Sequence, residues 1–165
     1  MHPHRNAWLC LFLSLITLPA HALQSDSQQK IHITADTTTY NFKNGITTFT
    51  GHVIANQGTT HLTAEKLITK ADNKHQIQEV IAYGQDKTQA HYLTLPRPNE
   101  AVLHAIGDVI HYFPITANVT LQNHVTVQQG ENSFQGELIL YNMNEQTITV
   151  PPTPRGRAVL VYNQD

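Results

Sequence analysis

Two kinds of carboxylate recur at one interval in this chain, Asp36 with Asp108 and Glu65 with Glu137, and paired carboxylates are standard equipment for general acid–base chemistry. Past the first 22 residues histidine is the other frequent chemical residue, at His32, His52, His61, His75, His91, His104, His111 and His124. Imidazoles hold zinc when several stand close together with a carboxylate or a water. These are scattered over separate predicted strands, with no His-x-His or His-x3-His pair, so no metal site is expected. They read as surface residues on strand faces, able to make partner contacts sensitive to pH. Nucleophilic chemistry finds no better footing. Ser25 and Ser27 fall in a polar leader, Ser133 lacks the Gly-x-Ser-x-Gly setting, and the sole cysteine is Cys10, inside an early apolar run. With no phosphate loop either, neither a catalytic residue nor a cofactor is expected, and the carboxylate pairs find a cheaper explanation in duplication.

The N-terminus settles where the chain goes. Arg5 precedes an apolar run from Ala7 to Leu18, and Ala20-His21-Ala22 supplies small residues at a cleavage point, the three parts of a secretory signal. Residues 1–22 read as that signal, 23–30 as a mobile leader and 31–165 as one domain. A spanning helix needs about 20 apolar residues, more than this run offers. From Leu23 onward nine Lys or Arg stand against twelve Asp or Glu, without runs of either sign, so there is no electrostatic footprint for nucleic acid.

The elements that must position any site are short alternating strands. Ile31, Ile33 and Ala35 alternate with polar residues, Tyr40 and Phe42 follow, and Asn44-Gly45 is a strong hairpin signal. Phe49, Val53 and Ala55 share one side of the next run, and Leu62, Ala64 and Ile68 begin another. No stretch carries capped helical periodicity.

An internal repeat organises these runs. A shift of 72 positions takes Asp36 to Asp108, Tyr40 to Tyr112, Thr48 to Thr120, His52-Val53 to His124-Val125, Gln57-Gly58 to Gln129-Gly130 and Glu65 to Glu137. This reads as a duplicated four-strand unit, with the proline-stiffened stretch Leu95 to Asn99 between the copies. Two repeats are few for a free-standing solenoid, which favours a folded-over sheet. Val150 to Pro154 breaks the pattern, and Arg157 to Tyr162 supplies a last strand.

The runs Ile31 to Asp36, Thr48 to Ile54 with Gln57-Gly58, and Leu62 to Leu67 resemble the LptA (OstA) family of periplasmic lipopolysaccharide-transport proteins. Leu121 to Val125, Gln129-Gly130 and Phe134 to Leu138 repeat the signature, and the closing strand completes it. The resemblance implies an all-β, twisted, open β-jelly roll, V-shaped in section, that takes the acyl chains of lipopolysaccharide into an apolar interior. It also implies a periplasmic location and two partners with related jelly-roll domains, an inner-membrane LptC-like component and an outer-membrane LptD-like component. Copies of the fold would line up as a bridge, with a head-to-tail homo-oligomer as one form of it.

Period-2 alternation puts Ile31, Ile33, Tyr40, Phe42, Phe49, Val53, Ala55, Leu62, Ala64, Ile106, Ile110, Tyr112, Leu121, Val125, Val127, Phe134, Leu138 and Leu140 on one face. The residues alone favour an ordinary dry core, which every sandwich needs. The family resemblance favours an acyl groove. Apolar, proline-free runs at both ends, Ile31, His32, Ile33, Thr34 and Ala35 and then Ala158, Val159, Leu160, Val161 and Tyr162, are candidate edge strands for docking to related folds. Three alternatives stay open: a membrane-tethered LptC-like relative with an uncleaved signal, a structural β-protein without lipid, and a hydrolase on a β-solenoid, which would need more rungs.

Overall fold

The computed structural model describes residues 29–85, 88–154 and 156–162. The secretory segment, its expected cleavage after Ala22 and most of the leader lie outside the described residues. The chain forms β1 (His32–Thr34), β2 (Thr37–Asn41), β3 (Ile46–Gln57), β4 (Thr60–Ala71), β5 (Ile77–Tyr83) and β6 (Ala90–Thr94). It continues as β7 (Leu103–Gly107), β8 (Val109–Phe113), β9 (Asn118–Gln129), β10 (Asn132–Asn142), β11 (Thr147–Thr149) and β12 (Val159–Val161). The Asn44-Gly45 turn joins β2 to β3 as its residue types require: Gly45 sits at φ 65 and Asn44 accepts the Ile46 amide at 3.1 Å.

The pairing corrects the size of the repeat. Strands β7 to β10 stand where β1 to β4 stand, and the likeness continues into β11 and β12, which pair with β10 as β5 and β6 pair with β4. The duplicated unit therefore holds six strands, not four. Its last two strands escaped the 72-residue comparison because the second hairpin is tighter: Ile68 pairs with Ile81, whereas Leu140, its repeat mate, pairs with Thr149.

Four long strands belong to two sheets at once. The first halves of β3 and β9 and the second halves of β4 and β10 lie in a ladder of order β2-β3-β4-β5-β8-β9-β10-β11. Their other halves lie in a second ladder, β1-β3-β4-β6-β7-β9-β10-β12. We call these the first and second sheets. The ladder slips between Thr50 and Val53 in β3, and between Gly136 and Leu138 in β10 opposite Asn123-His124 of β9. A bulge of this kind bends the strand and sharpens its twist, so each long strand leaves one sheet and enters the other at its bulge. The shorter strands change sheet along the same line, β1 to β2 at Asp36, β5 to β6 beyond Gly84, and β7 to β8 at Asp108. This line is the spine of a V.

The turns lie at the opposite ends of the strands and form two lips. The first sheet's lip carries the turns at 42–45, 72–76, 114–117 and 143–146, and the second sheet's carries those at 58–59, 95–102 and 130–131. Among the described residues no strand pairing joins lip to lip. Inside the V, alternate residues of both sheets meet in one apolar core that includes Leu67, Ala82, Tyr92, Ile110, Val127 and Ile139, all without measurable exposure. Burial of each large side chain there contributes about 1.5–3 kcal/mol.

Candidate functional site

The inner face of the V gathers most of the residues that alternation selects. Ile33, Phe49, Val53, Ala55, Leu62, Ala64, Ile110, Tyr112, Leu121, Val125, Val127 and Phe134 all belong to the core or pack against it. Ile31 joins Ile33 along a small apolar gap of about 30 Å³, closed by Leu62, Val80, Tyr92 and Tyr112. Tyr40 pairs with Thr47, which pairs with the buried Thr69, so it lies on the inner face at the uncovered N-terminal edge. Its ring meets Phe42 edge-on at 4.6 Å, and Phe42, in the lip turn, is 88% exposed.

Three residues read as inward face the other way. Leu138 and Leu140 are displaced by the slip at Gly136, beyond which Ile139 and Tyr141 carry the inner positions. Ile106 lies between Ala105 and Gly107, which are buried with Leu103 on the inner side of β7. Sequence reasoning also missed Leu67, Val80, Ala82, Ala90, Tyr92, Leu103, Ala105, Val119, Ile139 and Tyr141. The alternation of β5 and β6, Val80 with Ala82 and Ala90 with Tyr92, is the signal that could have found several of them.

Through its middle the interior is filled by its own side chains, and it is accessible only where the lips part. One such place stands open. A cleft of about 540 Å³ near the N-terminal end is bounded by Gln29, Lys30, Ile31, His32 and Gln57 on the second sheet's side and by Gln76, Ile77, Pro114 and Ile115 on the first sheet's. It shares Ile31 and Gln57 with the small apolar gap behind it. Its lining sets polar groups, Lys30 and His32 among them, beside apolar Ile31, Ile77 and exposed Ile115, with the apolar gap beneath.

Buried polarity inside the V is confined and partnered. Thr60 and Thr94 face each other at 3.1 Å beside Tyr92, whose phenol is pushed well above its ordinary range by burial. No buried side-chain nitrogen or oxygen lacks a partner among the described residues.

The chemical residues named at the outset lie elsewhere. His52 holds Asp36, and His124 holds Asp108, at the two spine bulges. His111 and Lys70 both engage Glu79, where β5 meets β8. His91 and His104 stack on the outside of the β6–β7 pair with ring centroids 5.6 Å apart, and burial, with His91 as the lesser cause, pushes His104 below the ordinary histidine value. Among the described residues no group of three or more His, Asp or Glu gathers to hold a metal ion. Among the described residues both ends of the second sheet are open edges: β1 pairs with β3 on one side, β12 with β10 on one side, and Val159, Leu160, Val161 and Tyr162 are about half exposed or more.

Comparison with known proteins gives one consistent answer. Residues 32–147 match the family described as LptA/(LptD N-terminal domain) LPS transport protein. The chain is 34% identical to the lipopolysaccharide export system protein LptH of Pseudomonas aeruginosa over 129 residues, 78% of this chain and 72% of the relative. It is 32% identical to the lipopolysaccharide export system protein LptA of Escherichia coli K12 over 142 residues, 86% of this chain and 75% of that one. The crystal structure of LptH, the LptA homologous periplasmic component of the lipopolysaccharide transport device of P. aeruginosa, superposes with a TM-score of 0.78 at 30% identity. That match covers 86% of this chain and 100% of the other.

Proposed function

Since this chain belongs to the LptA/(LptD N-terminal domain) family of LPS transport proteins, we propose that it carries lipopolysaccharide across the periplasm with the acyl chains held between its two sheets. The observation that carries this reading is the asymmetry of the V. One seam is a continuous spine of bent strands, while the other is two rows of turns with a cleft of mixed lining between them that adjoins a small apolar gap. A dozen methylenes gain about 10 kcal/mol on leaving water, so free passage through an aqueous gap is prohibitive and a trough that takes the chains removes that penalty without bond chemistry. The relatives are named as export proteins, and the work of movement belongs to a partner that couples an energy source to the carrier.

A photoreactive residue in place of Phe49 or Leu121, on the inner face, gives lipopolysaccharide adducts in cells, and the same residue at Thr48, on the outside, gives none. Equal labelling at both faces excludes an interior path.

Docking runs through the open edges, and the chain holds its own template for it. Inside the molecule the last strands of the first repeat receive the first strands of the second, β5 on β8 and β6 on β7. Among the described residues the same surfaces recur unpaired at the two ends as β11 and β12, and as β1 and β2. A second copy, or a related jelly-roll domain of an LptC-like or LptD-like component, extends both sheets by repeating that junction. Export into the periplasm proceeds through the N-terminal signal, and N-terminal sequencing of the mature protein begins at Leu23.

A further inference from the structure

On the carrier reading above, the filled middle of the interior admits hydrocarbon only when the angle between the sheets changes, and among the described residues the strands cross between sheets only along the spine. The spine is pinned twice in the same way. Asp36 donates its amide to the Gly51 carbonyl at 2.9 Å and accepts His52 Nδ1 on Oδ2 at 2.8 Å. Asp108 donates its amide to the Asn123 carbonyl at 3.1 Å and accepts His124 Nδ1 on Oδ2 at 2.9 Å. Both histidines sit in left-handed backbone, φ 46 and 51, preceded by residues at φ 81 and 60. That conformation is costly for a residue with a Cβ, so each bulge depends on what holds it. A Cβ on Gly51 would stand 2.3 Å from Asp36 Oδ2, which shows how closely the carboxylate is drawn over the bend.

We propose that Asp36 with His52 and Asp108 with His124 are hinge clamps that set the angle between the two sheets, and so the width of the interior. Each pair ties the corner where the chain changes sheet to the bulge where a long strand does so. The second clamp reaches further, since the Gln89 amide donates to Asp108 Oδ1 at 3.2 Å and to the His124 carbonyl at 2.9 Å, drawing in the connection before β6. Duplication has kept the arrangement while changing residues around it, Gly51 against Asn123, so the device does not depend on one local sequence. The charged groups around His52 are Asp36 and, from β4, Glu65. Around His124 they are Asp108, Glu137 of β10 and Arg157 of the final segment. The carboxylates favour the imidazolium, so each clamp is a charge-assisted bond at low pH and a weaker neutral one once the ring loses its proton.

The test places nitroxide labels on the two lips, at Thr116 and Pro98, each changed to cysteine in a Cys10→Ser background. Lip-to-lip distances are then read by pulsed dipolar EPR on the purified protein without lipid. At about pH 5.5 the wild-type clamps give a narrow distribution, and at about pH 8.5 a longer and broader one. His52→Asn with His124→Asn keeps residues that tolerate left-handed backbone but carry no proton, and its distribution no longer responds to pH. His52→Ala with His124→Ala gives the long, broad distribution at both values. A wild-type distribution that ignores pH, or a pH response that survives the asparagine pair, overturns the proposal. No lipopolysaccharide is present, so a failed hinge is read separately from a failed carrier, which the photoreactive residues at Phe49 and Leu121 report.

Discussion

The hydroxyl of Tyr92 donates to Sδ of Met143 at 3.5 Å, joining β6 of the second sheet to the β10–β11 turn of the first. This contact crosses the interior from one sheet to the other, where among the described residues no strand ladder runs. Tyr92 is wholly buried, and burial keeps its phenol protonated over the whole working range, so this latch does not titrate. Met143→Ala removes the acceptor and the thioether packing together. It lowers stability by about 1–2 kcal/mol and, on the carrier reading, speeds uptake of lipopolysaccharide. Denaturant melts and stopped-flow binding of a fluorescent lipopolysaccharide check both halves, and slower uptake would show that the latch is not on the path.

The join between the repeats is electrostatic on its outer surface. Glu79 is bonded to Lys70 and His111, and the bond to Lys70, outweighing burial, leads in holding its carboxyl below the usual range. A carboxylate with a lowered folded pKa contributes its stability above the unfolded value of 4.5, and loses it as pH falls through the lower folded value. Glu79→Gln therefore costs about 1 kcal/mol near neutrality, discounted because Lys70 is half in solvent. The difference from wild type shrinks toward zero as the pH drops below 4.5, and melts over a pH series read it directly.

Ile139 and Leu138 are neighbours on opposite faces, and they test the slip in β10. Ile139 has no exposure, so Ile139→Ala costs about 2–5 kcal/mol, while Leu138→Ala, on the outer face, costs about 1 kcal/mol or less. Equal losses at the two sites would mean that the bulge is misplaced.

The same pair shows where the sequence stopped being legible. Alternation holds while a strand runs straight, which is why Val53 and Ala55, or Val125 and Val127, were placed correctly from residue type alone. It fails opposite a bulge: Asn123 and His124 of β9 stand against the single Glu137, so the faces exchange in β10 while Leu121 and Val125 of β9 both stay inward. Nothing in the type of Leu138 or Leu140 distinguishes them from Ile139 and Tyr141. His52 and His124 were visible as repeat mates, but their left-handed backbone and their contacts with Asp36 and Asp108, sixteen positions away in each case, were not. Tyr40 and Phe42 were read correctly as apolar and yet are exposed, since exposure at a sheet's edge is decided by whether another strand follows. The spine and the lips could not be read at all, because they arise from how turns of separate hairpins fall on the same side.

Edge docking makes the most specific prediction. Within the chain Tyr92 stands opposite Ala105, and the repeat mates of these two are Leu160 and Ile33. If copies join as the repeats do, Leu160 of one copy lies opposite Ile33 of the next, with Val161 opposite His32 and Val159 opposite Thr34. Leu160, now 57% exposed, then takes the buried place that Tyr92 occupies inside. The double variant Leu160→Cys with Ile33→Cys, in a Cys10→Ser background, forms an oxidised ladder of multimers on a non-reducing gel. Leu160→Cys with Thr34→Cys is one residue out of register, which points the second thiol to the other face, and it gives little ladder. Val161→Pro, which puts a residue without an amide into the edge strand away from the core, abolishes the ladder of the first pair. Equal cross-linking by both cysteine pairs would mean that the ends meet by collision, without strand pairing in this register.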